Sequence, residues 1–403
     1  MNSISCRNLW IYAITNAFSR FGNQFQFFAV TGLTYAITGS TFLTAIQMAA
    51  TGLPYILLVR IAGTIADRYD PRRVTTISLL LQAALTLGYL LGNSVYLFLA
   101  LNFLVSSCGV FIVAAKGALI PQMVGKEGIF AANARLAAFN GGAQLFAPVI
   151  AGMIIMHINP TWAFLFNAVS YLAPAIGMHY VRAVEPEGNR AASGGDGLRG
   201  AWQFVLGSPV FLAALLLYGA YTLGMWSVNT LFYPYCLDIL GKGMDLMGWN
   251  VSAYFGAFLI TGYALERFGQ HFRNPRLLPA GFLVGAVIWS GYTFTRSPLL
   301  SVLLSSFDGI VYTYTVTRLD TWIQEEAPKE QRGRVSALAR AWEEVATVVG
   351  QIGGGAVAGV TGILGGMRWS SGISFGLVLL ILLASRLTNR RAALPAPATG
   401  TDD

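Results

Sequence analysis

The amino-acid sequence predicts an all-α membrane protein in which twelve transmembrane helices form two pseudo-symmetric six-helix bundles around a central cavity. Three observations support this fold class. The 403-residue chain is 55% hydrophobic and only 11% charged, and its mean hydropathy of +0.58 is well above that of ordinary soluble domains. Its apolar segments number twelve. Its two halves also share sequence patterns, which indicates a duplicated architecture.

Each predicted span is a mainly apolar segment bounded by charged or turn residues. About 20 such residues are needed to cross about 30 Å of hydrocarbon as a helix. In the first half the spans cover residues 9–37, 41–62, 74–92, 95–117, 130–156 and 160–180, and in the second half 206–236, 246–266, 276–294, 298–322, 333–361 and 368–387. The first span is too long, and too polar inside, for a secretory signal, so we interpret it as a retained helix.

The basic residues predict how the spans are oriented. With a cytoplasmic amino terminus, seventeen Lys and Arg residues fall on inward-facing segments, against three on outward-facing ones, Lys242, Arg296 and Arg368. This asymmetry follows the positive-inside rule, and one missed span would disrupt it. We therefore expect an integral protein of the plasma membrane, surrounded by lipid, with both termini cytoplasmic.

The longest polar segment divides the spans six and six. It contains ASGGDG, a composition typical of flexible linkers. The predicted domains are an N-terminal six-helix bundle at residues 1–181, a cytoplasmic linker at 182–203, a C-terminal six-helix bundle at 204–391 and a disordered tail at 392–403.

Short patterns recur in the two halves about 200 residues apart, which is the expected sign of an internal repeat. The segment KEGIFAANARLAAF after span 4 corresponds to KEQRGRVSALARAW after span 10. The pattern after span 2 recurs after span 8, with Gly63, Asp67 and Arg68 matching Gly262, Glu266 and Arg267.

The segment GTIADRYDPRR at residues 63–73 carries G-x-x-x-D-R followed by basic residues, between spans 2 and 3. On twelve spans in two halves, this motif resembles the major facilitator superfamily. The runs LPYILLVRIAGTIADRYDPRRV and QRGRVSALARAW are most similar to its exporter branch, which includes enterobactin and multidrug efflux proteins. The resemblance implies a secondary active transporter of the bacterial inner membrane that works by alternating access, and we expect it to act as a monomer.

The chain departs from the family pattern at three places, one of which is Val105, where the drug/proton antiporters of the family commonly carry an arginine in span 4. Asp70 and Pro71 replace the residues usual in the motif after span 2. The span 5 motif of antiporters, G-x-x-x-G-P-x-x-G-G, remains only as Ala143, Ala147, Pro148, Ala151 and Gly152. Two directions of transport therefore stay open: export of a siderophore, antibiotic or drug-like compound by proton antiport, and proton-coupled import of a small organic solute such as a siderophore.

The acidic residue after span 2 indicates a contact between the halves. Asp67 lies at the C-terminal end of its helix, where the helix dipole disfavours negative charge. The resemblance implies that it faces the start of span 11 near Gly333, and that Glu266 faces the start of span 5. We predict a cytoplasmic latch formed by Gly63, Asp67, Arg68, Arg72, Gly262, Glu266 and Arg267. Membrane anchoring explains Arg72 equally well, but it explains no acidic residue.

Ionisable side chains in mid-membrane need a partner or an aqueous cavity, because each costs about 2.5–3.5 kcal/mol or more. Three carboxylates are therefore candidates for proton coupling, Asp308 in span 10 and Glu343 and Glu344 in span 11. An alternative for Glu344 is a structural ion pair with Arg340, four residues earlier on the same helix.

Other polar and aromatic residues are candidates for a substrate cavity, because the resemblance implies that spans 1, 4, 7 and 10 line it. In span 1 they are Arg20, Asn23 and Gln24, with Arg20 binding an anionic group or pairing with a carboxylate. In spans 7 and 10 they are Tyr221, Trp226, Asn229 and Tyr312, for which core packing is the alternative.

Other classes of protein are disfavoured. The basic residues do not cluster as in nucleic-acid-binding modules, and the His and Cys spacing predicts no metal site or cofactor. An intramembrane hydrolase needs a nucleophile elbow or HExxH, and an ATP-driven pump needs a Walker motif, which the sequence lacks. A receptor or scaffold has no use for mid-membrane carboxylates. In span 11, GQIGGGAVAGVTG lacks the lysine of a phosphate loop, so Gly355 and Gly359 predict close helix contact instead.

Overall fold

The computed structural model describes residues 3–125, 128–157, 159–181, 197–268, 278–328 and 332–392. The described residues of the first half fold into six long helices, which confirms the predicted all-α class. These helices are α1 (Ser3–Thr38), α2 (Thr41–Arg68), α3 (Pro71–Leu87), α4 (Val95–Val124), α5 (Ile129–His157) and α6 (Pro160–Tyr180). A short 3-10 turn, Gly88–Leu91, extends α3.

The second half is also helical. Its elements are α7 (Gly197–Gly207), α8 (Pro209–Thr230), α9 (Phe232–Pro234) continued by the π-helical turn Tyr235–Ile239, α10 (Met244–Phe268), α11 (Leu278–Tyr292), α12 (Pro298–Glu326) and α13 (Arg332–Ala392). α13 contains predicted spans 11 and 12, which are separated by a kink at Gly362 with a φ of 75°. A side chain is strained at such a φ, whereas glycine adopts it freely.

Within the described residues, eight helices are long and apolar enough to cross a membrane, and α11 is a shorter apolar helix. Each predicted span falls largely within a helix, but α10 and α1 are not among the eight. Polar side chains such as Asn16, Arg20 and Gln26 lie along α1 and lower its hydropathy. The structure thus supports an integral membrane protein, while the count of twelve spans stays a prediction.

The segments between the predicted bundles are described only in part. Residues 182–196 of the predicted linker lie outside the described residues, and residues 197–203 belong to α7. The predicted tail lies outside the described residues apart from Ala392.

Capping explains the two departures from the family motif after span 2. The Asp70 side chain accepts a hydrogen bond of 3.0 Å from the backbone N–H of Arg72, so it caps α3. Pro71 occupies the first position of the helix, where its fixed φ and missing N–H are tolerated. The two residues therefore start α3 sharply after the short break that follows α2.

Helices pack within each half and across two seams between the halves. In the first half α1 contacts α5 and α6, and in the second half α8 packs along α13. The seams are formed by α2 with α13 and by α5 with α10. The two bundles are thus joined by two helix pairs, α2 with α13 and α5 with α10, and these pairs flank a central cavity.

We define the outer end of the molecule as the end that carries the turns at Gly39 and Gly241. Here the seams are tight, because a Cβ added at Gly248 would collide with the backbone carbonyl of Pro148. On the other seam the Thr41 hydroxyl donates to the carbonyl of Gly355 at 3.3 Å. Gly355 therefore makes the predicted close contact, whereas a Cβ at Gly359 would meet no atom within 4 Å.

Candidate functional site

A cavity of about 730 Å³ lies between the two halves. Residues from both halves line it, including Gln24 of α1, Thr51 of α2 and Gln144 of α5 opposite Asn229 of α8 and Asn250 of α10. Its volume is typical of small-molecule sites in proteins. The fold therefore places a cavity large enough for a small molecule at the interface between the two halves.

All three predicted proton-coupling carboxylates, Asp308, Glu343 and Glu344, line this cavity. Asp308 is 8% exposed, and the indole N–H of Trp289 donates to its Oδ1 at 3.1 Å. A buried carboxylate with a single hydrogen bond is only partly compensated for its lost hydration. Among the described residues, Asp308 therefore remains a candidate for proton coupling.

The predicted alternative for Glu344, an ion pair with Arg340, is wrong. The Arg340 guanidinium instead lies 3.8 Å from Asp320 of α12, and both side chains are largely exposed. Glu344 faces the cavity beside Gly52 of α2, whose added Cβ would lie 3.8 Å from the Glu344 carboxylate. α13 therefore presents Glu344 towards the opposite half of the molecule.

Four predicted substrate-cavity residues, Gln24, Trp226, Asn229 and Tyr312, line the central cavity. Tyr221 does not belong to the cavity lining that the structure describes. It is fully buried and packs against Trp289 with ring centroids 4.8 Å apart. Five residues along a helix correspond to a rotation of about 140°, so Tyr221 and Trp226 face different neighbours.

Arg20 and Asn23 line a second, smaller cavity of about 250 Å³ in the first half. Arg20 is exposed to this space. The two cavities share four lining residues, Phe27, Thr51, Tyr55 and Ser106. The predicted residues of span 1 are therefore divided between adjoining cavities.

The sequence analysis missed an aromatic wall contributed by α10 and α11. Tyr254, Phe255 and Phe258 of α10 and Trp289 and Tyr292 of α11 line the central cavity. The aromatic cluster YFGAF in span 8 indicates such a surface. The resemblance implies a cavity lined by spans 1, 4, 7 and 10 and therefore does not include this cluster. The Tyr292 hydroxyl is also hydrogen-bonded to Ser305 at 2.9 Å, and this contact ties α11 to α12.

A second missed feature is a buried hydrogen-bond network centred on Gln26. Its side-chain amide donates to the Tyr89 hydroxyl at 3.4 Å and accepts from Thr86 at 3.2 Å and from Asn167 at 2.6 Å. The network joins α1, α3 and α6 beside the smaller cavity. Buried amides with several partners fix the positions of helices in an apolar interior.

The predicted latch residues that the structure describes do not join the two halves. Added Cβ atoms at Gly63 and Gly262 would meet nothing within 4 Å, and Arg68 and Glu266 are exposed. The Arg267 guanidinium lies 6.0 Å from the ring of neighbouring Phe268.

Arg72 bonds instead within the first half, donating to the carbonyl of Val181 at 2.9 Å. The side chain of Asp67 is outside the description. The latch therefore stays a prediction, and it concerns a conformation other than this one, which is closed at the outer end.

Comparison with known proteins gives related sequences and folds. The model of the Major Facilitator Superfamily matches residues 12–342 and 214–402. The enterobactin exporter EntS of Citrobacter koseri is 25% identical over 385 residues, covering 90% of this chain and 88% of that protein. The exporter EntS of Shigella boydii is 24% identical over 390 residues, covering 91% and 89%.

Two solved transporters share the fold. A bacterial homologue of the human lysosomal transporter Spinster, inward-facing and unoccupied, matches with a TM-score of 0.75 and 13% identity over 99% of this chain and all of that one. A bacterial homologue of the iron transporter ferroportin, also inward-facing, matches with a TM-score of 0.71 and 16% identity over 96% and 99%. The family match, the two bundles and the cavity between them lead to one conclusion: the chain belongs to the Major Facilitator Superfamily.

Proposed function

We propose that this protein is a secondary active transporter that exports a small organic molecule, such as a siderophore, antibiotic or drug-like compound, by alternating access coupled to proton entry. The observation that carries the proposal is the set of three carboxylates, Asp308, Glu343 and Glu344, on the wall of the cavity between the halves. Such groups are costly in a membrane interior, and those that are retained typically mark substrate or ion pathways. The direction of transport is supported by relatives that are enterobactin exporters.

The coupling mechanism follows from where the cavity opens. With the outer end closed, Asp308 exchanges protons only with the inner side. When the seams at Gly248 and Gly355 part and the inner end closes, it exchanges protons with the outer side instead. Substrate bound beside the carboxylate then leaves outward as a proton binds, and the proton is released inward after the return step.

The orientation and the remaining assignments belong to the same proposal. The inner end faces the cytoplasm, because the basic residues collect there. Residues 182–203 link the two bundles on that side, and the latch around Asp67 and Glu266 closes in the outward-facing state. The partners are a small-molecule substrate, protons and lipid, with no nucleic acid, and the protein acts as a monomer.

The test is proton flux in inside-out vesicles, measured with a pH-sensitive dye. Each member of a panel of siderophores and drugs is added to vesicles with an imposed pH gradient. We expect at least one compound to dissipate the gradient with the unmodified protein and none with Asp308→Asn. The matched control is Glu326→Gln, which removes a carboxylate from the exposed end of the same helix.

Three outcomes would count against parts of the proposal. Unchanged flux and unchanged pH dependence in Asp308→Asn would contradict proton coupling through this residue. Silence of the unmodified protein with every compound would contradict export. Accumulation of a labelled compound in right-side-out vesicles, driven by an inward proton gradient, would instead establish the proton-coupled importer.

A further inference from the structure

The central cavity combines its carboxylates with an aromatic surface. Eight aromatic side chains of the second half line the cavity, Trp226, Phe232, Tyr254, Phe255, Phe258, Trp289, Tyr292 and Tyr312. Tyr254 contacts Tyr312 with ring centroids 5.9 Å apart, and Phe255 and Phe258 complete a chain of ring contacts among these four residues. Flat aromatic groups bind well against such surfaces, because ring pairs contribute favourable contacts beyond the burial of apolar area.

The smaller cavity has a different chemistry. Arg20 lines it together with the amides of Asn16, Asn23 and Gln82, and its described lining contains no carboxylate. The smaller cavity is therefore positive, whereas the central cavity carries the negative groups.

Two groups in the smaller cavity have no partner among the described residues. A ligand can supply that partner. Within the described part of the chain, no carboxylate lies within ion-pair distance of Arg20. The side chain of Gln47 is 1% exposed, and its Oε1 has no hydrogen-bond partner there. A guanidinium binds an anionic oxygen, and a buried amide oxygen accepts from an O–H or N–H donor.

The two cavities adjoin, so one molecule can occupy both. Phe27, Thr51, Tyr55 and Ser106 line the central cavity on one side and the smaller cavity on the other. A molecule with an aromatic part and an anionic part fits both environments in one orientation only. This orientation also keeps its negative charge away from Asp308, Glu343 and Glu344.

We propose that the transported molecule is an aromatic organic anion, whose charged group lies against Arg20 in the smaller cavity with a neighbouring N–H or O–H group facing the Oε1 of Gln47, while its aromatic part lies against the wall of the central cavity. This inference rests on the proposed transport function and specifies its substrate class. It separates the two charges of the transport cycle, because the substrate anion binds in the first half and the proton in the second.

The test is binding of two fluorescent probes to the purified protein in lipid nanodiscs. Dansyl-glycine and dansyl-glycinamide carry the same aromatic group. The first ends in a carboxylate and the second in a neutral amide. Energy transfer from Trp226 and Trp289 to the dansyl group reports binding. We expect the unmodified protein to bind dansyl-glycine about tenfold more tightly than the amide, as one charge-assisted hydrogen bond predicts.

Substitution then identifies the group that recognises the charge. Arg20→Gln should weaken dansyl-glycine binding about tenfold, the effect of losing one charged partner, and leave the amide unchanged. The unchanged amide affinity also shows that the variant is folded. Arg60→Gln is the matched control, because Arg60 is exposed on α2 and lines neither cavity.

Equal affinity of the unmodified protein for the two probes would overturn the inference, and this comparison needs no variant. Binding of neither probe, or an unchanged ratio in Arg20→Gln, would also overturn it. The binding assay tests the substrate class, and the transport assay tests the transport function, so either can fail without the other. Flux of neutral or cationic compounds alone would contradict the substrate class and leave transport standing, while selective anion binding without any flux would contradict only the transport function.

Discussion

Removal of one hydroxyl at the outer end should shift the balance between the two conformations of the transporter. The Tyr35 hydroxyl of α1 donates a hydrogen bond to the carboxylate of Asp238, in the turn after α9. The two residues belong to different halves, so the bond exists only while the outer end is closed. Tyr35→Phe keeps the ring, which packs edge-on against Tyr233 with centroids 5.9 Å apart, and deletes only this bond.

The size of the effect follows from the exposure of the acceptor. A hydrogen bond to a charged group contributes about 1.5–3 kcal/mol. Asp238 is exposed, so its carboxylate is hydrated once the bond is lost, and the lower value applies. A change of about 1.5 kcal/mol corresponds to slightly more than a tenfold change in an equilibrium constant. We expect the ratio of outer-open to outer-closed molecules to rise by about this factor.

Spin labels on the two halves measure this ratio directly. Asn93 and Arg296 are exposed on outer turns of the first and second half, and labelled cysteines there report the width of the outer end. Cys6 and Cys108 are replaced by serine for this purpose, while Cys236 is fully buried. Electron–electron double resonance should show growth of the long-distance population in Tyr35→Phe.

The matched control is Tyr96→Phe, which deletes a hydroxyl from a side chain that is 81% exposed, and it should change nothing. Asp238→Asn should give a smaller shift than Tyr35→Phe, because a neutral acceptor keeps a weaker bond. An identical distance distribution in Tyr35→Phe and the unmodified protein would refute the idea that this bond stabilises outer closure.

Three further predictions concern packing and stability. Gln26→Leu should lower the free energy of unfolding by about 3 kcal/mol, since three buried hydrogen bonds are lost; a clear drop in Tm is expected, absent in the exposed control Gln203→Leu. Gly248→Val should widen the outer end in the spin-label measurement, because its side chain collides with the Pro148 carbonyl. Gly262→Val should not, because a Cβ at Gly262 meets no described atom within 4 Å. Arg340→Gln should leave Tm nearly unchanged, because the exposed ion pair with Asp320 contributes at most about 1 kcal/mol. A loss of several degrees in Tm would show that this ion pair contributes more to stability.

Local sequence determined the fold class and the identity of the family. Hydropathy places the spans, because each must satisfy its own backbone hydrogen bonds and match the thickness of the hydrocarbon. The motif after span 2 and its repeat after span 8 identify the superfamily. The candidate carboxylates Asp308, Glu343 and Glu344 were also found without a structure, because a charge in mid-membrane stands out in an apolar segment.

The sequence did not predict which face of each helix lines the cavity. Trp226 and Tyr221 lie in one apolar span, yet only Trp226 lines the cavity. Gly355 packs against α2 and Gly359 against nothing, although both lie in the same glycine-rich run. Both the lipid-facing and the packed faces of a transmembrane helix are mainly apolar, so the periodicity that reveals a buried face in a soluble protein is weak here.

The sequence by itself thus determined that the chain crosses a membrane as two related bundles and which charged groups need an explanation there. Only the tertiary structure decided that Arg340 pairs with Asp320 of another helix, that α10 and α11 supply the aromatic wall, and that Arg20 occupies a separate positive cavity. The reason is physical: hydropathy acts along one helix, whereas the rotation and neighbours of each helix are set by close packing with the others.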